Sequence, residues 1–186
     1  MNRKRFTVLS GFILVAALSR LLPHPYNFAP MGAMSLFGAA YFADKKFSFL
    51  IPLFAMFVSD LLVNNLLYSS YYGGFTLFTE GFYWMYGAIA LIVGAGMFIL
   101  KKVNVKTVIA GSLTASIIFF LVTNFGSWIA DPAYPLTLSG LMMSYTAGIP
   151  FFHYTVLGDL VYCGVMFGAF EYAKQHTTLL QSVKVI

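Results

Sequence analysis

The chain has 186 residues, of which 60% are hydrophobic and 9% charged, with a mean hydropathy of +0.81. A soluble domain carries roughly 25% charged residues and cannot bury this much apolar surface at this length, so composition excludes a soluble fold and points to one compact domain in a bilayer. The formal net charge of +5 is spread between apolar runs, a placement that argues for orientation in a membrane and against nucleic-acid binding.

A membrane span needs about 20 apolar residues, and its ends are marked by charge or by Pro, Gly and Asn. The first apolar run follows Arg3, Lys4 and Arg5 and predicts a helix over 7–22, ended by Pro23-His24-Pro25. Ala17-Leu18-Ser19 resembles a cleavage site, which makes a signal peptide the alternative. The continued hydrophobicity downstream favours an uncleaved helix. A second, short helix is expected over 28–43, ended by Asp44-Lys45-Lys46, and a third over 47–67. A polar, aromatic loop follows at 68–80, with Gly73-Gly74 inside it. The fourth helix is expected over 82–100, ended by Lys101-Lys102, and the fifth over 107–130, ended by Asp131-Pro132. The stretch 136–148 is apolar but interrupted by Ser139-Gly140; it reads as a short interfacial or re-entrant helix, or as an early start to the sixth helix over 150–173.

These six segments form an all-α bundle with both termini on one side. With the N-terminus cytoplasmic, ten of the eleven Lys and Arg residues are cytoplasmic: Arg3, Lys4, Arg5, Lys45, Lys46, Lys101, Lys102, Lys106, Lys174 and Lys184. The outer loops hold none, and the exception, Arg20, lies within the first helix. The expected location is the bacterial cytoplasmic (inner) membrane, with lipid as one partner.

Charged side chains at bilayer depth are costly and usually face a partner or a cavity. Arg20, Asp60 and Asp159 all fall in the outer half of their helices, where they are expected to neutralise one another in part. Asn64 and Tyr68 continue the face of Asp60, Trp128 that of Asn124, and Asp159 that of Thr155. His24, Asn27, Glu80, Asp131 and His153 lie at outer helix ends or loops, with Trp84 at the same level. The inner half has few polar side chains beyond Ser and Thr, so the polarity is one-sided, as in a pocket that opens outward. Each residue also has a plainer reading: an Arg–Asp pair locks helices, Asn64 and Asn124 join them, Trp84 and Trp128 belong to an interfacial aromatic belt, and the histidines are interfacial. Cys163, alone of its kind, is a small buried apolar residue, and no His, Cys or acidic cluster has zinc spacing. Small residues mark close packing at Ser35, Ala39 and Ala43, at Ala90 and Gly94, at Gly111 and Ala115, and at Gly164 and Gly168.

Asn27-Phe28-x-Pro30-x-Gly32-Ala33, Ser59-Asp60-Leu61, Tyr134-Pro135 with Gly140-Leu141, and Ile149-Pro150-Phe151-Phe152 with Leu157-Gly158-Asp159-Leu160 resemble a family of uncharacterised bacterial integral membrane proteins assigned as transporters. More distantly, the layout is similar to the substrate-capture S components of energy-coupling-factor (ECF) vitamin transporters. That resemblance implies a pocket near the outer surface, gated by loops at 23–27 and 68–80, and a transmembrane coupling subunit with ATPases as partner. The small-residue stripe that S components present on helix 1 stands here on helix 2.

The expected function is capture of a small hydrophilic, vitamin-like solute by Arg20, His24, Asn27, Asp60, Asn64, Glu80, Trp84, Asn124, Trp128, His153 and Asp159. Arg20 would pair an anionic group, and Arg20→Leu would then abolish binding. The chain has no Gly-Lys-[Ser/Thr] phosphate loop, so ATP energy would come from a partner. No cofactor or metal is implied. A non-transporting subunit or scaffold is the alternative. An intramembrane aspartyl enzyme would need Asp60 and Asp159 to share a proton, but Val156 and Ser59 replace the Gly and Tyr of that family's signatures, so a non-enzymatic protein is expected.

Overall fold

Helix ends fall where the sequence supplies caps and breaks. In the computed structural model, which describes residues 3–177 and residue 180, α1 spans Arg3–Leu18 and tightens into a 3₁₀ turn at Ser19–Leu21 before Pro23. Pro30 precedes α2, Met31–Tyr41, which ends where Phe42 turns extended. Asp44 caps α3, Lys45–Leu62, by accepting from the Lys46 N–H at 2.9 Å. α3 widens into a π turn at Val63–Leu67. A short α4, Ser69–Tyr72, ends on Gly73 with φ 69°, and Gly81, also with φ 69°, precedes α5, Phe82–Ile99. Asn104 and Thr107 form a reciprocal capping box at the start of α6, Val105–Ala130. Thr137 caps α7, Leu138–His176, accepting from the Gly140 N–H at 3.2 Å. The described residues contain no strand. Four helical stretches are long and apolar enough to cross a membrane: Lys45–Leu67, Phe82–Ile99, Val105–Ala130 and Leu138–His176.

Two elements differ from the sequence expectation. α2 has 11 residues, about 16 Å at 1.5 Å per residue, or half the hydrocarbon thickness; the expected 28–43 helix loses its first turn to Pro30 and its last to the extended Phe42. The stretch 136–148 is the early start of the last helix, and α7 runs unbroken for 39 residues, about 58 Å. Gly140 is not a break. It lets α7 begin against the Pro135 carbonyl, which a Cβ there would overlap. Pro150 lies within α7 and costs one backbone hydrogen bond without ending the helix.

The short α2 is the axis of the fold. All its residues from Met31 to Ala39 are buried, and it packs against α1, α3, α5, α6 and α7. Phe37 stacks on Phe12 and meets Phe167 and Phe170 edge-on, with centroids 5.4–5.7 Å apart. Small residues let backbones close in: a Cβ on Gly38 would come within 2.9 Å of Pro52, and one on Gly96 within 2.9 Å of Ala39. Where lipid replaces water, such packing and not burial from water holds helices together. Gly111 faces Leu36, and Ala115 is buried, as the small-residue pattern anticipates; Gly94, Gly164 and Gly168 meet nothing and face outward.

The basic segments collect at one end. Phe6 of α1 meets Phe42 and Phe47 across the α2–α3 turn at 5.7 and 5.0 Å. The Tyr41 hydroxyl donates to Glu171 near the end of α7 at 2.7 Å, and Lys174 pairs with Glu171 at 2.9 Å. A groove lined by Val103, Asn104, Glu171 and Gln175 joins the α5–α6 turn to the same end. Lys184 lies outside the described residues. The loops at 68–80 and 131–137 occupy the opposite end.

Candidate functional site

The 3₁₀ turn after α1 aims Arg20 at α3. Its guanidinium donates to Asp60 Oδ1 at 2.7 Å and to Ser59 Oγ at 3.1 Å, with Met56 Sδ also at 3.1 Å. The Tyr86 hydroxyl of α5 donates to the second Asp60 oxygen at 3.0 Å. Ser59 in turn donates to the Ala17 carbonyl at 2.8 Å. Both charged side chains are nearly withdrawn from the surface, at 14% and 11% exposure. The cluster ties α1, α3 and α5 and leaves the Arg20 charge locally neutralised.

Asp159 does not join it, which corrects the expectation of a three-charge cluster. Its carboxyl, 2% exposed, accepts from the Gly32 and Ala33 backbone N–H groups and, at 2.7 Å, from the Ser116 hydroxyl. Gly32 and Ala33 occupy the second and third positions of α2, whose N–H groups have no partner within their own helix. Pro30 stands at the N-cap and has no side-chain oxygen to offer. Asp159 therefore caps α2 from α7, with the positive end of the helix dipole facing its carboxyl. Glycine at 32 is required by this contact, because a Cβ would overlap the Asp159 carboxyl. Gly158 allows a close approach beside it, since a Cβ would lie 3.0 Å from the Ala29 nitrogen and the backbone there would have to give slightly. Asp60 bonds to Arg20 and Tyr86, and Asp159 to Ser116, Gly32 and Ala33, so the two carboxyls have no common partner among the described residues.

A cavity of about 770 Å³ opens between the start of α5, the second half of α6 and the first half of α7. Its rim carries Asn27, Glu80, Asp131 and Tyr134; its depth reaches Phe119 and Thr155. Asn27 holds φ 63°, a left-handed conformation that turns the chain over the rim. Trp84 stands in the wall, seated on Gly126, where a Cβ would overlap the indole. Its ring nitrogen is buried and has no hydrogen-bond acceptor among the described residues. Asn124 donates to the Phe120 carbonyl at 2.8 Å and lies against Gly148. The helices around the cavity are fastened by Ser144, donating to the Asn124 carbonyl at 2.6 Å, and Tyr145, donating to the Leu121 carbonyl at 2.9 Å.

Of the sequence-named residues, Asn27, Glu80, Trp84 and Asn124 line this cavity. Arg20, His24, Asp60, Asn64, Trp128, His153 and Asp159 do not. Trp128 donates its indole N–H to the Pro135 carbonyl at 2.9 Å and pins the 131–137 loop. His24 and His153 are exposed, and His153 meets Tyr154 at 3.9 Å. Asn64 is buried, with its amide nitrogen unpartnered among the described residues. The π turn adds a residue to the helical repeat, so Tyr68 leaves the face of Asp60 and is exposed. Asn65 holds the 68–80 loop through two bonds to the Thr76 backbone, both 2.8 Å. Burial raises the pKa of Tyr72 in that loop, with neighbouring Tyr71, Tyr68 and Asp60 acting in the same direction. Sequence reasoning missed Tyr86, Ser116, Gly32 and Ala33 as partners of the two aspartates. Pro30 at the N-cap, with Gly32-Ala33 at the second and third helical positions, was the available signal for a helix start lacking its own cap.

The chain belongs to a family of unknown function (DUF6580), whose profile matches residues 1–181. No curated protein matches it, and no solved structure matches it.

Proposed function

We propose that this member of the family is a multi-pass protein of the bacterial cytoplasmic membrane that captures a small solute in the α5–α6–α7 cavity. The chain crosses six times, with the basic end cytoplasmic. Four crossings are the long apolar helices. The other two are α1 with its 3₁₀ turn, and α2 with its extended flanks, a short crossing supported on all sides by protein. The basic segments at one end support this orientation, and an even number of passes follows from Arg3–Arg5 and Lys174 sharing that end.

The observation that carries the capture reading is the cavity itself. Its volume of about 770 Å³ falls within the roughly 300–1,000 Å³ of ligand pockets, and its lining mixes aromatic rings with carboxylates, amides and hydroxyls in about equal measure. Its rim is formed by loop residues at the end away from the basic segments. Arg20, Asp60 and Asp159 serve as the framework that holds α2 and α3 in place, which moves Arg20 from the ligand contact expected of it to a structural role.

That internal use of all three charges also favours the second reading, a non-transporting subunit of a larger complex. A thermal-shift screen of the purified, detergent-solubilised chain against vitamins, precursors and nucleobases separates the two. Ligand at a hundred times its dissociation constant stabilises the fold by about 2.7 kcal/mol. A solute that raises the melting temperature of the wild type but not of Thr123→Phe, which fills the cavity, supports capture. A flat screen of a folded protein favours the subunit reading.

A further inference from the structure

We propose that the cavity takes an organic cation, a positively charged nitrogen on an apolar body. This inference rests on the capture reading and names the chemical class of its ligand. Three independent features of the site point the same way.

The first is the sign of the charge at the mouth. Glu80 and Asp131 stand on the rim, both exposed, and no lysine, arginine or histidine lines the cavity among the described residues. The Glu80 carboxylate has no hydrogen bond or ion pair among the described residues. Asp131 uses one oxygen to accept from the Ala133 N–H at 2.9 Å. The chain as a whole carries +5, yet its described lysines and N-terminal arginines stand at the far end. The remaining arginine, Arg20, does not line the cavity and is matched by Asp60 at 2.7 Å. Among Lys, Arg, Asp and Glu, the mouth is therefore net negative on a net positive protein. Such a field concentrates cations and repels anions.

The second feature is the wall. Trp84, Phe82, Phe120, Tyr134 and Phe152 contribute rings from four separate segments. Ring faces attract a cation within about 6 Å, tryptophan most strongly, and do so more in a site shielded from water. The third is what the polar lining offers. Asn27, Thr79, Thr123, Ser127 and Thr155 supply hydroxyl or amide oxygens that accept from an ammonium group. An anion would meet the same wall with two carboxylates at the entrance and no cation to receive it.

The test uses three ligands of one shape and different charge: tryptamine, the uncharged tryptophol, and indole-3-acetate. Each is titrated by calorimetry into the purified full-length protein in detergent. The expected order is tryptamine tightest, tryptophol about tenfold weaker, and indole-3-acetate weakest; tenfold, about 1.4 kcal/mol, lies between an exposed and a fully desolvated cation–ring contact. In the double variant Glu80→Gln with Asp131→Asn, the preference for tryptamine over tryptophol narrows, and the rings alone keep part of it. Two results overturn the inference: indole-3-acetate or tryptophol binding as tightly as tryptamine, or none of the three binding to a folded protein. Neither removes the capture reading by itself. That reading fails only when the wider solute screen is also flat, or when its hits survive Thr123→Phe.

Discussion

Replacing Asp159 by leucine, a side chain of similar size without acceptors, is the sharpest test of how α2 is held. The wild-type carboxyl satisfies the Gly32 and Ala33 N–H groups and the Ser116 hydroxyl. Ser116 keeps a second acceptor, the Ser112 carbonyl at 3.1 Å, so its loss is partial. The two backbone N–H groups have no alternative inside the bundle. Each buried donor left unpaired costs about 1–3 kcal/mol, which puts Asp159→Leu at about 4 kcal/mol. Asp159→Asn keeps one acceptor oxygen and should cost about half of that. The assay is unfolding of the detergent-solubilised protein by titration with sodium dodecyl sulfate, followed by tryptophan fluorescence. A double-mutant cycle with Ser116→Ala should give a coupling energy of about 1 kcal/mol, since the two side chains bond directly at 2.7 Å. Asp159→Leu within 0.5 kcal/mol of wild type would refute the capping role.

Arg20→Leu should lower stability by about 2 kcal/mol, below the roughly 3–5 kcal/mol for breaking a fully buried pair because both groups keep some exposure; chemical denaturation against the double variant Arg20→Leu with Asp60→Leu checks it, and the double variant should recover most of the loss. Gly126→Ala should displace Trp84, because its Cβ would overlap the indole; the readout is a shifted tryptophan emission maximum together with a lower melting temperature. Asn65→Ala should release the 68–80 loop by removing both bonds to Thr76. Limited proteolysis would then cut within that loop well before the wild type is cut, without a change in the melting temperature of the bundle.

Much of the helical layout was legible because charge and proline punctuate the apolar runs. Lys101-Lys102 and Asp131-Pro132 set the ends of α5 and α6 to within a residue or two. Two features were not legible for physical reasons. Ser139-Gly140 reads as a break, but glycine there serves close approach to Pro135, which only the tertiary packing reveals. The short α2 depends on a cap from a residue 127 positions away in sequence, Asp159 to Gly32, and no local pattern encodes that. For the site, the direction in which each side chain faces was not readable. The expected topology puts Arg20, Asp60 and Asp159 at similar levels, but whether they meet depends on how each helix is rotated. The structure turns Asp60 toward α1 and Asp159 toward α2. Asn124 and Thr155 are each one turn from Trp128 and Asp159 respectively, yet only Asn124 and Thr155 reach the cavity.

The account stands on a cavity that opens on the face away from the basic ends, and sided thiol labelling tests this most directly. Cys163 is buried and is the only cysteine, so a Cys163→Ala background carries single reporters cleanly. Ser127→Cys places one on the exposed cavity wall, and Lys102→Cys one at the basic end. A membrane-impermeant maleimide should label Ser127→Cys in right-side-out vesicles only, and Lys102→Cys in inverted vesicles only. Labelling of Ser127→Cys from the cytoplasmic side would contradict the account.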